Sequence, residues 1–278
     1  MRIQKEKQFN PLPSPIGLRD YLQYYNLVFP ERDTFAARYT LMPNACGTLS
    51  LAFDGDAVTA ELWGAATAPV PLGAEPNRYR VLLLIQLSPC GLYQITRQNQ
   101  RELAGRRLSL GDLDSGLTQQ LNRAFVTSGS AMELAAACNG VLARRMETRV
   151  VSDALFLAAN VISQNHGQVR VNELARQTCY SQRHLNRLFQ TQIGMGVKDY
   201  ARLTRFQYVL KRLQKRNRFR PSGYLAELSQ QAGYFDQAHL DKDFKAISGV
   251  SPQHYLQTMS DFYYDGTEIY PTISSKAE

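Results

Sequence analysis

The sequence predicts an α+β chain. A mixed, sheet-containing N-terminal domain is followed by an all-α domain with two helix-turn-helix units joined by a long linker helix. Three observations lead there. Strand-like runs bounded by turn residues fill the first 125 residues, helical periodicity takes over from Leu117, and residues 171–200 recur in altered form at 225–255.

The strand candidates are 47–54, 57–64 and 80–88, rich in Val, Leu, Phe and Trp. Asp54-Gly55-Asp56 separates the first two and reads as a hairpin turn. A Pro/Gly/Ala stretch from 65 to 76 separates the second from the third. Residues 131–147 place apolar groups at helical spacing. A boundary between 145 and 153 then gives an N-terminal regulatory-type domain over 1–150, a helical domain over 151–262 and an acidic tail over 263–278. Leu134, Cys138, Val141 and Leu142 are a candidate dimer seam, against the plainer reading that they pack within their own domain.

Composition sets limits. Of 278 residues, 44% are hydrophobic and 20% charged, the profile of a folded chain. Nearly unbroken apolar runs such as 81–87 are far short of the roughly 20 residues a membrane helix needs. The first seven residues lack a signal-peptide core, so the expected location is cytoplasmic. Cys46, Cys90, Cys138 and Cys179 form no C-x-x-C pair, which suits reduced, partly buried thiols rather than a disulfide framework or zinc site. A redox role for Cys46 or Cys90 would need a cationic neighbourhood that the flanking sequence does not supply. Neither metal nor cofactor is expected. The net charge of +8 is unevenly spread: residues 151–260 carry 15 Lys and Arg against 7 Asp and Glu. A polyanionic partner would require such a concentration.

The repeat carries the functional reading. Glu173-Leu174-Ala175 and Tyr180 align with Glu227-Leu228-Ser229 and Tyr234 at an offset of 54. After one inserted residue, His184-Leu185, Phe189, Gly194 and Tyr200 align with His239-Leu240, Phe244, Gly249 and Tyr255. Each copy meets the needs of a helix-turn-helix. Ala175 and Ser229 are small enough for a helix crossing. The turn then wants positive φ, which Gly233 tolerates and Cys179 does not, at a strain of about 1 kcal/mol. Ser181 and Asp236 are N-caps, Leu185/Phe189 and Leu240/Phe244 are core, and Gly194 and Gly249 are stops.

That assignment leaves Gln182, Arg183, Asn186 and Arg187 exposed on one recognition helix (182–193). Gln237, Ala238, Asp241 and Lys242 are exposed on the other (237–247). Gln, Asn and Arg read adenine and guanine edges in the major groove. Asp241 repels phosphate, but it could accept from a cytosine amino group or pair with a neighbouring lysine. The plain alternative is a solvated helix face, which two copies at fixed spacing make a poor explanation. Between the copies, Tyr200, Leu203, Phe206, Leu210 and Leu213 form an apolar stripe on a helix starting at Val197 and running to Lys215. At about 1.5 Å per residue it would hold two reading heads near one turn of B-DNA apart. Ser181, Lys198, Arg202, Lys211, Arg212 and Lys245 are phosphate candidates, with Lys215, Arg216, Arg218 and Arg220 nearby. Arg205, close to the stripe, should tie the helix to a neighbour.

These residues resemble the AraC/XylS family of bacterial regulators. The resemblance covers about 153–260, on ELARQTCYSQRHLNRLFQTQIG, Tyr200, Arg205, GYFDQAHLDKDFKAISGVSP and Tyr255. It implies a sequence-specific DNA-binding transcription regulator, with Arg183, Asn186 and Arg187 reading bases from the first helix and Gln237, Ala238 and Asp241 from the second. Cys179 and Lys242 depart from the usual Gly and Arg. The segments 46–56 and 82–113 resemble the poorly characterised sensor-type domain of one subgroup, whose ligand class is open. The expected partners are double-stranded DNA, RNA polymerase, a small-molecule or protein effector and a second copy of the chain, with no membrane. Two other readings compete: an architectural, effector-independent DNA-binding protein, and an enzyme fused to a DNA-binding module. All four histidines follow residue 165, so the N-terminal region offers none for a catalytic triad.

Overall fold

The computed structural model describes residues 8–37, 39–214 and 222–258. Lys215, Arg216, Arg218, Arg220 and the acidic tail lie outside them.

The N-terminal domain is built on β1 (Phe9–Pro13), β2 (Leu22–Val28), β4 (Thr48–Phe53), β5 (Val58–Trp63), β7 (Val81–Leu87) and β8 (Arg107–Ser109), with β3 (Thr40–Leu41) and β6 (Val70–Pro71) pairing separately. The six-stranded sheet has the order β1-β2-β7-β4-β5-β8, and every pairing is antiparallel. All three strand candidates form within a residue of their expected ends. At the hairpin turn the Asp54 carboxylate accepts from the Asp56 and Ala57 N–H groups at 2.9 Å each, and Gly55 takes a φ of 128°. β1, β2 and β8 escaped the sequence reading. β1 contains two prolines and β8 has only three residues, so neither gives a period-2 signal.

Register sorts the sheet into two faces. Leu49 lies opposite Ile85 and Leu62, and Leu51 and Leu27 both lie opposite Leu83, so these side chains share one fully buried face. That face packs on helices α1 (Gly91–Thr96), α4 (Ser115–Thr127) and α5 (Ala131–Met146). α5 is tied to the sheet by the Tyr25 hydroxyl, which donates to Asn139 at 2.6 Å. The short helices α2 (Gln100–Leu103) and α3 (Leu110–Leu113) lie at the β8 edge. Leu134, Cys138, Val141 and Leu142 are 0–7% exposed and belong to this core, so the proposed dimer seam is not an exterior surface. Their spacing marked an apolar face correctly; only the fold shows that the sheet and its helices already cover it.

Among the described residues, the regular elements of the C-terminal domain are all helices: α6 (Asp153–Gln164), α7 (Val171–Gln177), α8 (Gln182–Gln192), α9 (Val197–Gln214), α10 (Tyr224–Gln231), α11 (Gln237–Ser248) and α12 (Pro252–Thr258). The chain between α5 and α6 is clamped on both sides. Buried Gln94 donates to the Thr148 carbonyl and accepts from the Val150 N–H, while Gln192 accepts from the Ser152 N–H. One hydrophobic core runs through both domains. No helix among the described residues is long and apolar enough to cross a membrane.

Candidate nucleic-acid interface

Each helix-turn-helix is assembled by local rules visible in both copies. In the first, α7 crosses α8 over buried Ala175, and the Ser181 hydroxyl caps α8 by accepting from the His184 N–H at 3.2 Å. In the second, α10 crosses α11 over buried Ser229, and the Asp236 carboxylate accepts from the His239 N–H at 2.7 Å. The turn residues Cys179 and Gly233 take φ values of 57° and 72°, so the first unit places a side chain in left-handed backbone. Leu185, Phe189, Leu240 and Phe244 are fully buried, and Gly194 and Gly249 follow the recognition helices at φ 98° and 82°. The inserted residue of the second turn is Phe235, whose side chain is 91% exposed.

α9 spans about 27 Å at the standard rise. Its stripe residues Tyr200, Leu203, Phe206, Leu210 and Leu213 are all buried. Between the two units it floors a groove of about 650 Å³ lined by Gln182, Lys198, Arg202, Arg205, His239 and Asp243. The groove therefore joins the N-terminal ends of both recognition helices. Arg170 also lines it. Sequence reasoning missed Arg170 and His239, although His239 aligns with His184 at the same step of its helix.

Gln182, Arg183 and Arg187 are exposed on α8, as are Gln237, Ala238 and Lys242 on α11. Arg187 lies 3.3 Å from His184, which stacks on Tyr180 at 4.5 Å. Asn186 and Asp241 are only half-exposed and turn inward. The Asn186 carbonyl accepts from the Val197 N–H, and Asp241 Oδ1 is buried without a hydrogen-bond partner.

The phosphate candidates divide. Ser181, Lys198 and Lys245 are exposed. Arg202 gives its Nε to the Asp243 carboxylate at 2.5 Å, and the Tyr234 hydroxyl donates to the other carboxylate oxygen at 2.9 Å. Arg202 is therefore a strut between α9 and α11 that also borders the groove. Lys211 follows Gln207 by one turn of α9, and Gln207 donates to the Pro43 carbonyl of the N-terminal domain. Lys211 remains exposed, with Cys46 of that domain as its electrostatic neighbour, and partial desolvation of its stem and head lowers its pKa. Lys211 does not line the groove between the two recognition helices. Arg212 donates to the Tyr208 hydroxyl and lies over that ring. Arg205 donates to the Gly167 carbonyl at 3.1 Å and covers Tyr234, the tie expected of it.

Burial pushes the thiols of Cys46, Cys90 and Cys138 up to about 12, which disfavours the thiolate that redox sensing requires. Cys179 is exposed, contrary to its expected partial burial. Among the described residues, no three His, Cys, Asp or Glu side chains group as a metal centre would need.

The N-terminal domain reaches this site directly. α2 packs on α8, and a cleft of about 400 Å³ is lined by Thr67 and Arg101 on one side and by Gln190, Asp199, Arg202 and Ile247 on the other.

Residues 174–258 match the family model of a helix-turn-helix domain. Over 102 residues the chain is 29% identical to the Msm operon regulatory protein of Streptococcus mutans serotype c, covering 36% of this chain and 34% of that protein. The match thus spans about a third of that relative's length. Among solved structures, ToxT from Vibrio cholerae O395 is 10% identical, with 92% of this chain and 99% of that one covered and a TM-score of 0.45. The C-terminal domain of AraT from Geobacillus stearothermophilus is 17% identical over 47% of this chain and 97% of that one, at a TM-score of 0.35.

Proposed function

We propose that this chain, whose residues 174–258 match the model of a helix-turn-helix domain, is a sequence-specific DNA-binding transcription regulator of the AraC/XylS type. In this reading α8 and α11 enter successive major grooves on one face of a duplex. The observation that carries it is the shared groove: two capped recognition helices present their N-terminal ends to one channel whose floor is basic. Gln182, Arg183 and Arg187 read bases in one half-site, and Gln237, Ala238 and Lys242 in the other. Ser181, Lys198 and Lys245 hold the flanking phosphates. Residues 1–150 act as the regulatory domain and 151–262 as the reader. Control passes through the contacts of α2 with α8 and of the 43–46 loop with α9, since these contacts bear on the placement of the first reading head and the linker helix.

Selection of the full chain against random duplex DNA at near-physiological salt tests the proposal. Two short motifs about one helical turn apart are expected. Lys198→Ala should weaken binding to all sequences alike and reduce the salt slope by about 1. Binding without enrichment would replace this reading with a sequence-indifferent, architectural one. No binding at all would remove DNA as the partner.

A further inference from the structure

The two units can be laid over one another residue by residue, and they differ at one joint. In the first unit α9 begins at Val197 directly after Gly196, which has no side chain with which to cap the helix. The cap comes instead from the recognition helix: Asn186 Oδ1 accepts from the Val197 N–H at 3.1 Å. Gly196 makes that approach possible, because a Cβ there would stand 2.8 Å from Asn186 Oδ1. In the second unit Ser251 takes the place of Gly196, Pro252 that of Val197 and Asp241 that of Asn186. Ser251 caps α12 itself, its hydroxyl accepting from the His254 N–H at 3.2 Å. Pro252 has no N–H to give. Asp241 Oδ1 is consequently buried without a partner.

The geometry points to Asn186 as a positioning residue that locks the first recognition helix to the linker helix, and not as a reader of bases. This rests on the DNA-binding reading above. A bidentate contact with adenine needs both the carbonyl and the amino group of an Asn. Here the carbonyl is already committed 11 residues further along the chain, and the side chain is half-buried. Asp241 occupies the corresponding place without the bond, and it too stands outside the reading face. Base discrimination in each unit then falls to the first two exposed positions of its recognition helix and the sixth: Gln182, Arg183 and Arg187, or Gln237, Ala238 and Lys242.

The test applies the same DNA selection to full-length variants, after the wild-type chain has yielded its two motifs. Absence of motifs from the wild type would count against DNA reading as a whole, separately from this inference. Asn186→Ala should lower affinity for the first motif about fivefold, evenly over its base pairs, and leave the second motif unchanged. Val197→Pro removes the donor without touching the recognition helix, and it should reproduce that loss. The double variant should be no worse than either single one. Asp241→Ala should keep every base preference of the second motif. Loss of preference at one base pair in Asn186→Ala or Asp241→Ala, or no effect of Asn186→Ala, overturns the assignment. If Val197→Pro fails to fold, the base-by-base profile of Asn186→Ala decides alone.

Discussion

Cys179 sits in left-handed backbone at φ 57° in the turn of the first unit, where the second unit has Gly233 at 72°. A side chain there costs about 1 kcal/mol relative to glycine, part of which is returned by the lower entropy of the unfolded chain. Cys179→Gly should therefore raise stability in urea by roughly 0.5–1 kcal/mol and leave DNA preference intact; a loss of stability would show that the thiol makes contacts worth more than the strain. The other cysteines give a pH prediction. Burial holds the Cys46, Cys90 and Cys138 thiols near 12, above their ordinary value of 9.0. A raised acid pKa means that the unfolded chain loses its protons first. The stabilisation is therefore complete below about pH 9 and is lost as pH rises towards 12. At neutral pH a thiol-specific reagent should label Cys179 first. Labelling of Cys138 in the folded chain at a similar rate would contradict its burial.

At the scale of elements, the recognition helices were legible because their signals are local. A cap, a four-residue apolar spacing and a terminal glycine all lie within about 14 residues, and α8 and α11 each end within one residue of the expected position. What joins them was not legible. Arg202 reads in sequence as one more basic residue on a linker, yet it bonds Asp243 across α9 and α11, with Tyr234 completing the carboxylate's partners. The Arg202 side chain is 47% exposed and that of Asp243 13%, so solvent screening limits the pair to about 0.5 kcal/mol. Tyr234→Phe should cost about 1 kcal/mol, since it strips a hydrogen bond from a half-buried carboxylate. A double-mutant cycle on Arg202→Ala and Asp243→Asn measures the strut directly. Zero coupling would mean that packing alone sets the angle between the linker and the second reading head.

For the whole molecule, the two stop glycines separate conformation from docking. Gly194 and Gly249 share positive φ, but a Cβ on Gly194 would stand 2.8 Å from the Gln100 carbonyl of the N-terminal domain, while one on Gly249 would meet open space. Gly249→Ala should cost about 1 kcal/mol for backbone strain alone. Gly194→Ala should cost more, by the amount needed to push α2 away from α8, read as the difference in thermal midpoint between the two variants. Equal losses would mean that the N-terminal domain yields freely at this contact, and would weaken the proposed route of control.

The sequence by itself determined the two-part α+β architecture, the β4–β5 hairpin and both helix-turn-helix units, because caps, turns and periodicity act between neighbours in the chain. Only the tertiary structure decided which exposed-looking positions are free. Leu134, Cys138, Val141 and Leu142 form an apolar face whether a second copy or their own sheet covers them. Asn186 and Arg187 are equally polar, yet one is spent on the start of the next helix. Lys211 and Lys198 carry the same charge, yet only Lys198 lines the groove between the recognition helices. In each case the partner lies far along the chain or on another element, and no local signal records which of several chemically suitable neighbours the fold brings within bonding distance.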